Sequence, residues 1–229
     1  MRVMLAGATG PIQHVRSYRS FRDMQIRDGD ERIEPYDFTR GDVTRITLVD
    51  TFIERKEYDA LFLLDLDMVH PPDLLDKLRA HDLDMVTAHY WKRRTPMESI
   101  IGIGADWPYH PLKDLPDTGL MEVSSTGLGA VLIKREVVDA VAKHVHPEHP
   151  FSLGPVPEMA NGEVGMGSDM RFFFLARKLG YKLWLDCSQE SLHYTDMLLS
   201  RRLYKLLRDY DWEAEQESMN AEVRAMYKI

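Results

Sequence analysis

Cysteine is nearly absent from this chain, basic residues are outnumbered, and no long hydrophobic run occurs in it. The single Cys187 excludes an intrachain disulfide, so the fold must rest on packing and fits a reducing, cytoplasmic compartment. No apolar stretch approaches the ~20 residues needed to cross a bilayer. The segment Met1-Arg2-Val3-Met4-Leu5-Ala6-Gly7 meets Gly and Pro too soon for a secretory signal and reads as a first strand. With 29 Lys and Arg against 37 Asp and Glu, the net charge of -8 argues against bulk electrostatic capture of nucleic acid. Repeats and low-complexity segments are missing as well. What is present is 229 residues, 44% hydrophobic and 29% charged, the profile of one soluble α/β domain or of one domain with a small lobe.

Hydrophobic patterning sets out an alternation of strands and helices. Residues 2–6 form a strand, a turn follows at Gly7-Ala8-Thr9-Gly10-Pro11, and residues 13–25 suit a helix. A short strand spans 32–38, and Gly41-Asp42-Val43-Thr44 opens a helix with Ile46, Val49, Phe52 and Ile53 on one side. The strand 60–64 is followed by Pro71-Pro72 at a helix start and by Leu74, Leu75 and Leu78 on one helical face. Residues 84–90 form the next strand. This order predicts a mainly parallel sheet with helices on both faces. Further on, 99–103, 120–123 and 128–133 read as strands, 135–143 as a helix, and 144–167 as a long Pro- and Gly-rich segment suited to a lid. Ser168-Asp169 caps a helix carrying Met170, Phe173, Phe174 and Ala176 and ending at Gly180. Strands at 182–186 and 191–194 precede a helical C-terminal extension from 197 to 229. That extension carries a basic stripe (Arg201, Arg202, Lys205, Arg208) that reads as a solvated face, a homo-oligomer contact or a weak membrane-surface patch.

The most informative stretch is Leu61-Phe62-Leu63-Leu64-Asp65-Leu66-Asp67. An uninterrupted apolar strand ends in two carboxylates one residue apart. In an open α/β sheet, ligands bind outside the carboxyl ends of the strands, so these acids should face a cleft. Acids held there suit a divalent cation whose remaining ligands are phosphate oxygens and water. The plainer alternative is a pair of solvated acids capping a loop.

Four segments together resemble the GT-A class of nucleotide-sugar glycosyltransferases, particularly family 2. They are Asp65-Leu66-Asp67 with Pro71-Pro72-Asp73-Leu74-Leu75, and Asp84 to Tyr90 with Lys92-Arg93. The third is Thr126-Gly127-Leu128-Gly129-Ala130-Val131, and the fourth is Gly167-Ser168-Asp169-Met170-Arg171 followed by Gly180-Tyr181-Lys182 and His193. The resemblance implies a Rossmann-like mixed α/β sheet flanked by helices over residues 1–196, with a nucleotide-binding half at 1–95 and an acceptor and metal half at 96–196. It implies a DXD motif whose Asp67 binds Mn2+ or Mg2+ directly, Asp65 acting on the metal through water or on the donor ribose, and His193 completing the metal shell. Asp169 would be the general base, a modest one because a helix N-terminus favours its ionised form. Arg45 would lie near the donor phosphates, Gly127 and Gly129 beside the donor sugar, Tyr90 against that sugar with Trp91 and Trp107, and Thr9 in the nucleotide-contacting turn.

The implied partners are a nucleoside diphosphate sugar and a hydroxyl acceptor: a metabolite, a polysaccharide precursor, a protein or a modified nucleobase. The resemblance implies inversion, since a positioned aspartate fits a single displacement; the chain departs from the family in having Ser168-Asp169 where Glu-Asp is common, which keeps retention open, and in the first loop. Rival readings are a non-catalytic sugar- or nucleotide-binding domain, a nucleotidyltransferase, and a haloacid-dehalogenase-like phosphatase. The last normally carries its Asp-x-Asp on the first strand, whereas two βα units precede it here.

Overall fold

The computed structural model describes residues 1–8, 15–33, 41–93, 98–105, 109–152, 167–194 and 221. Two compact units are distinguished, Met1–His193 and Tyr194–Ile229. The expected C-terminal helices, Thr9, Trp107 and most of the expected lid lie outside the described residues.

The first unit runs β1 (Val3–Ala8), α1 (Val15–Asp23), β2 (Glu31–Ile33), α2 (Gly41–Glu54), β3 (Ala60–Asp65), β4 (Met68–Val69), α3 (Leu74–Ala80), β5 (Met85–His89), β6 (Gly102–Ile103), β7 (His110–Pro111), β8 (Leu120–Val123), β9 (Ala130–Lys134), α4 (Arg135–Val145), α5 (Ser168–Lys178), β10 (Leu183–Glu190) and β11 (Leu192–His193). Seven strands form one sheet in the order β2-β1-β3-β9-β5-β10-β8. The parallel pairs are β1 with β2, β1 with β3, and β5 with β10. Strand β9 runs antiparallel between β3 and β5, and β8 antiparallel along β10. The sheet is therefore mixed at its centre, where the alternation predicted a mainly parallel one. Alternating elements fix strand direction, but the place where the chain re-enters the sheet after β8 decides who neighbours whom.

The strands sort their side chains with period two. Met4, Ala6, Leu61 and Leu63 face one core cluster together with Leu48, Val49 and Phe52 of α2, Val137, Val138 and Val141 of α4, and Phe172 to Ala176 of α5. Val3, Leu5, Phe62 and Leu64 face the other, with Phe21 of α1 and Leu74, Leu75 and Leu78 of α3. Helices thus cover both faces, which is why β3 could be apolar at every position before Asp65.

Two small ladders outside the main sheet matter for the site. β4 pairs antiparallel with β11, setting His193 opposite Met68. The expected strand at 99–103 is reduced to β6, paired with β7, and an isolated bridge between Ser99 and Trp91. On the other side of the molecule's carboxyl end, residues 148–152 are fastened to α5. The buried Arg171 donates to Ser152 Oγ at 2.8 Å and to Glu148 Oε2 at 2.5 Å, and the Phe151 ring stacks on Phe172 at 4.2 Å.

Candidate functional site

Strand β3 delivers Asp65 at its carboxyl end, and the turn after it is pinned from both sides. The Leu66 amide donates to Ala8 O at 2.8 Å and the Asp65 amide to Gly129 O at 3.1 Å. Leu66 itself is buried in the core, so the acids on either side of it are left partly open, each about a fifth to a quarter exposed (18% and 24%). The two carboxylates then part company. Asp65 Oδ1 accepts from the Arg45 guanidinium of α2 at 2.6 Å. That contact, chiefly the attraction of Asp65, raises the Arg45 pKa further above its already high value, so this cation is permanent.

Asp169 belongs to the same cluster. It lies one residue inside α5, whose N-cap is Gly167 with no side-chain cap bond, so the expectation of a Ser168-Asp169 cap is corrected. Its Oδ1 accepts instead from the Met170 amide at 2.8 Å. Burial pushes the Asp169 carboxyl above its ordinary range, and the nearby Asp65 adds to this, while the Met170 amide and Arg45 pull against it. The expected depression by the helix terminus is thus outweighed by desolvation, and Asp169 is a stronger base when ionised than the sequence implied.

Asp67 faces elsewhere. Its Oδ2 lies 2.7 Å from the half-exposed Arg93 guanidinium, and its Oδ1 lies 3.5 Å from His193 Nε2. His193 Nδ1 stands 2.9 Å from the Trp91 carbonyl. A carbonyl only accepts, so Nδ1 carries a proton, and the ring turns its other nitrogen, Nε2, towards Asp67. Both facing atoms are buried and neither has a hydrogen-bond partner. The two atoms face each other across 3.5 Å, a gap that a proton or a metal ion would bridge. Two donors bound at about 2.1 Å to one cation lie about 3–3.5 Å apart, so the pair fits a divalent ion. Burial pushes the Asp67 carboxyl up, but His193 and Arg93 outweigh it and hold it below the usual range, which keeps it ionised. Among the described residues no group of three or more His, Cys, Asp or Glu side chains converges. The protein therefore offers Asp67 and His193, and the expected third ligand, Asp65, is engaged by Arg45. A two-residue site of this kind suits a cation that shares its shell with phosphate oxygens and water.

Tyr90, Gly127 and Gly129 form one packed unit. The Gly129 amide donates to Tyr90 Oη at 3.0 Å, and Tyr90 is only 3% exposed. A Cβ on Gly127 would stand 2.1 Å from that hydroxyl, and one on Gly129 would stand 2.8 Å from Met68 Sδ and 3.0 Å from the Tyr90 ring. The glycines therefore admit Tyr90, and Tyr90 has no open face of the kind expected for stacking on a sugar. Trp91 donates its indole N–H to Glu190 Oε1 at 3.0 Å.

One residue of the site went unread in the sequence. His70, fully buried, links the end of β3 to the residue just before β11. Its Nε2–H donates to the Asp65 carbonyl at 3.2 Å, and the Ser191 hydroxyl donates to its Nδ1 at 3.0 Å. Burial lowers its pKa from 6.5 to about 4, so the ring is neutral. The signal in the sequence is a lone histidine directly after an apolar pair, Met68-Val69, which pattern reading assigns to the core.

With this geometry in place, comparison with solved structures identifies the fold. A197 from STIV matches with a TM-score of 0.55 and 22% identity over 86% of this chain and 87% of that one. GalNAc-T7, solved with UDP, GalNAc and Mn2+, matches with a TM-score of 0.53 and 9% identity over 86% of this chain and 44% of that one. At these identities the likeness is one of fold: a mixed α/β sheet flanked by helices, of the GT-A glycosyltransferase type. No family model and no curated protein sequence matches the chain. Among the described residues no helix is long and apolar enough to cross a membrane.

Proposed function

We propose that this protein is a metal-dependent, family 2-like glycosyltransferase that moves a sugar from a nucleoside diphosphate sugar to a hydroxyl acceptor by single displacement. The observation that carries this reading is the facing pair of unpartnered atoms, Asp67 Oδ1 and His193 Nε2, beside a buried carboxylate at the start of α5. Support comes also from the fold, which GalNAc-T7 shares in a structure containing a nucleotide, a sugar and Mn2+.

Asp67 and His193 would hold Mn2+ or Mg2+. Such an ion, when bound, neutralises charge as it develops on a departing diphosphate. The remaining work falls to side chains of the chain itself. Asp169 takes the proton from the acceptor hydroxyl, and its raised pKa matches it better to that task than an ordinary aspartate. Arg45 holds Asp65 in place through its 2.6 Å contact and would set a fixed positive charge beside the donor. Asp65, with one oxygen committed to Arg45, is suited to a donor hydroxyl rather than to direct ligation. A positioned aspartate favours inversion, since one displacement needs only one proton acceptor, while the absence of the family's neighbouring glutamate keeps retention open.

The test separates binding from chemistry. Asp67→Ala should lose metal-dependent donor binding. Asp169→Asn should retain that binding and lower the transfer rate by about 10²- to 10⁴-fold. Full transfer activity in Asp169→Asn would overturn the base assignment, and donor binding without transfer across a wide acceptor panel would favour a non-catalytic binding domain.

A further inference from the structure

The distance between Asp67 and His193 is set by two segments far apart in the sequence. Asp67 sits in the turn between β3 and β4, and His193 ends β11. Two connections hold these segments together. One is the β4–β11 ladder, with Leu192 opposite Val69 and His193 opposite Met68. The other is the side chain of His70, which reaches the Asp65 carbonyl at 3.2 Å with one ring nitrogen and Ser191 Oγ at 3.0 Å with the other. His193 is tied separately to the Trp91 carbonyl.

We propose that His70 is a positioning residue for the metal site, clamping the Asp65–Asp67 turn to the strand that carries His193 and thereby setting the gap that the cation fills. The inference rests on the metal-dependent reading above. Several features make the clamp rigid. His70 and Ser191 are both buried, at 0% and 1% exposure, so water does not compete for either bond. The Ser191 amide is itself bonded to the His89 carbonyl at 2.9 Å, which anchors the clamp to the main sheet at β5. The other jaw, Asp65, is the last residue of β3, whose ladder to β1 extends to Ala8. An imidazole is a flat spacer with a donor at one end and an acceptor at the other, so it fixes separation as well as contact. The ladder alone would allow β4 and β11 to slide or twist together relative to β3. His70 removes that freedom, because one of its partners ends β3 and the other immediately precedes β11.

The test measures Mn2+ affinity by electron paramagnetic resonance on the full chain, without nucleotide, at a temperature where every variant is folded. His70→Leu and Ser191→Ala should each weaken Mn2+ binding by about 10- to 100-fold, the range typical of partners that orient metal ligands. His70→Gln, whose amide offers a donor and an acceptor, should recover most of the loss. Leu78→Ala, a core truncation on α3 that costs stability without touching the clamp, should lower the melting temperature and leave Mn2+ affinity within a factor of two of wild type. Ser191→Ala keeps the argument testable if the histidine variants fold poorly. Wild-type affinity in both Ser191→Ala and His70→Leu would overturn the proposal while leaving the metal site standing. Equal losses in Leu78→Ala would overturn it too, by showing a general effect of destabilisation. If wild type binds no Mn2+, the clamp and the metal-dependent reading both fall.

Discussion

Asp169 shows how burial and function oppose each other at a single residue. Desolvation raises its pKa above the ordinary 3.8, so the folded chain holds the proton at pH values where the unfolded chain has released it. Stability contributed by this group is therefore present at low pH and is lost as pH rises from about the unfolded value through the folded one. At neutral pH the ionised carboxylate is a cost, and Asp169→Asn, which keeps an acceptor for the Met170 amide, should raise the melting temperature by about 2–4 °C for each kcal/mol relieved. A variant that is both inactive and more heat-stable than wild type is the expected result in a thermal melt at pH 7; a lower melting temperature would contradict it. The same raised pKa places the acid limb of the transfer rate above the usual carboxylate range, the rate falling as pH drops through it. Gly127 offers a second check. Gly127→Ala would drive a methyl group to 2.1 Å from the Tyr90 hydroxyl, and because Tyr90 is walled in, overpacking should cost about 1–3 kcal/mol in chemical denaturation.

Among the elements, the short β4–β11 ladder does more for the site than any large one, because it sets His193 beside Asp67. His70 gives it a pH response. Its pKa falls from 6.5 to about 4 on folding, so the unfolded chain takes up a proton that the folded chain refuses. The stability is complete above about pH 6.5 and is lost as pH falls towards 4, by about 3 kcal/mol in all. Melting temperature should therefore decline between pH 6.5 and 4 in wild type, and His70→Gln should flatten that decline; an unchanged slope would show that other groups carry it. This part of the molecule was hardly legible in the sequence. Asp65, Asp67, Asp169 and His193 stand out because a carboxylate ending an apolar strand, or opening a helix, breaks a pattern. His70 breaks none, since its bonds go to the backbone of Asp65 and to a serine 121 positions away. The division of labour between the acids was equally hidden, for nothing in Asp-x-Asp says that Arg45 will take one and leave the other to His193.

Across the whole first unit, the alternation of apolar residues foretold the elements and their directions well. The runs at β1 and β3 are apolar up to Asp65 because helices cover both faces of the sheet, and the two core clusters follow from strict period two along them. The sheet order was not foretold. Ala130 to Ile133 reads as a buried strand in either direction, and only the closed structure sets it antiparallel between β3 and β5. That insertion has a functional consequence: it brings Gly129 against Asp65 and Tyr90, so that the packed glycine unit backs the acid cluster.

The central claim is that Asp67 and His193 form a cation site that works together with a nucleoside diphosphate. A thermal shift series tests it most directly, with wild-type protein alone, with Mn2+, with each nucleoside diphosphate or its sugar, and with both together. At about 100 times the dissociation constant, ligand linkage contributes about 2.7 kcal/mol, or about 5–10 °C for a chain of this size. The account predicts a nucleotide-induced shift of that order, beyond any shift from Mn2+ alone, only when Mn2+ is also present, and its loss in Asp67→Ala. An equal shift without metal, or none with any nucleotide, would contradict it.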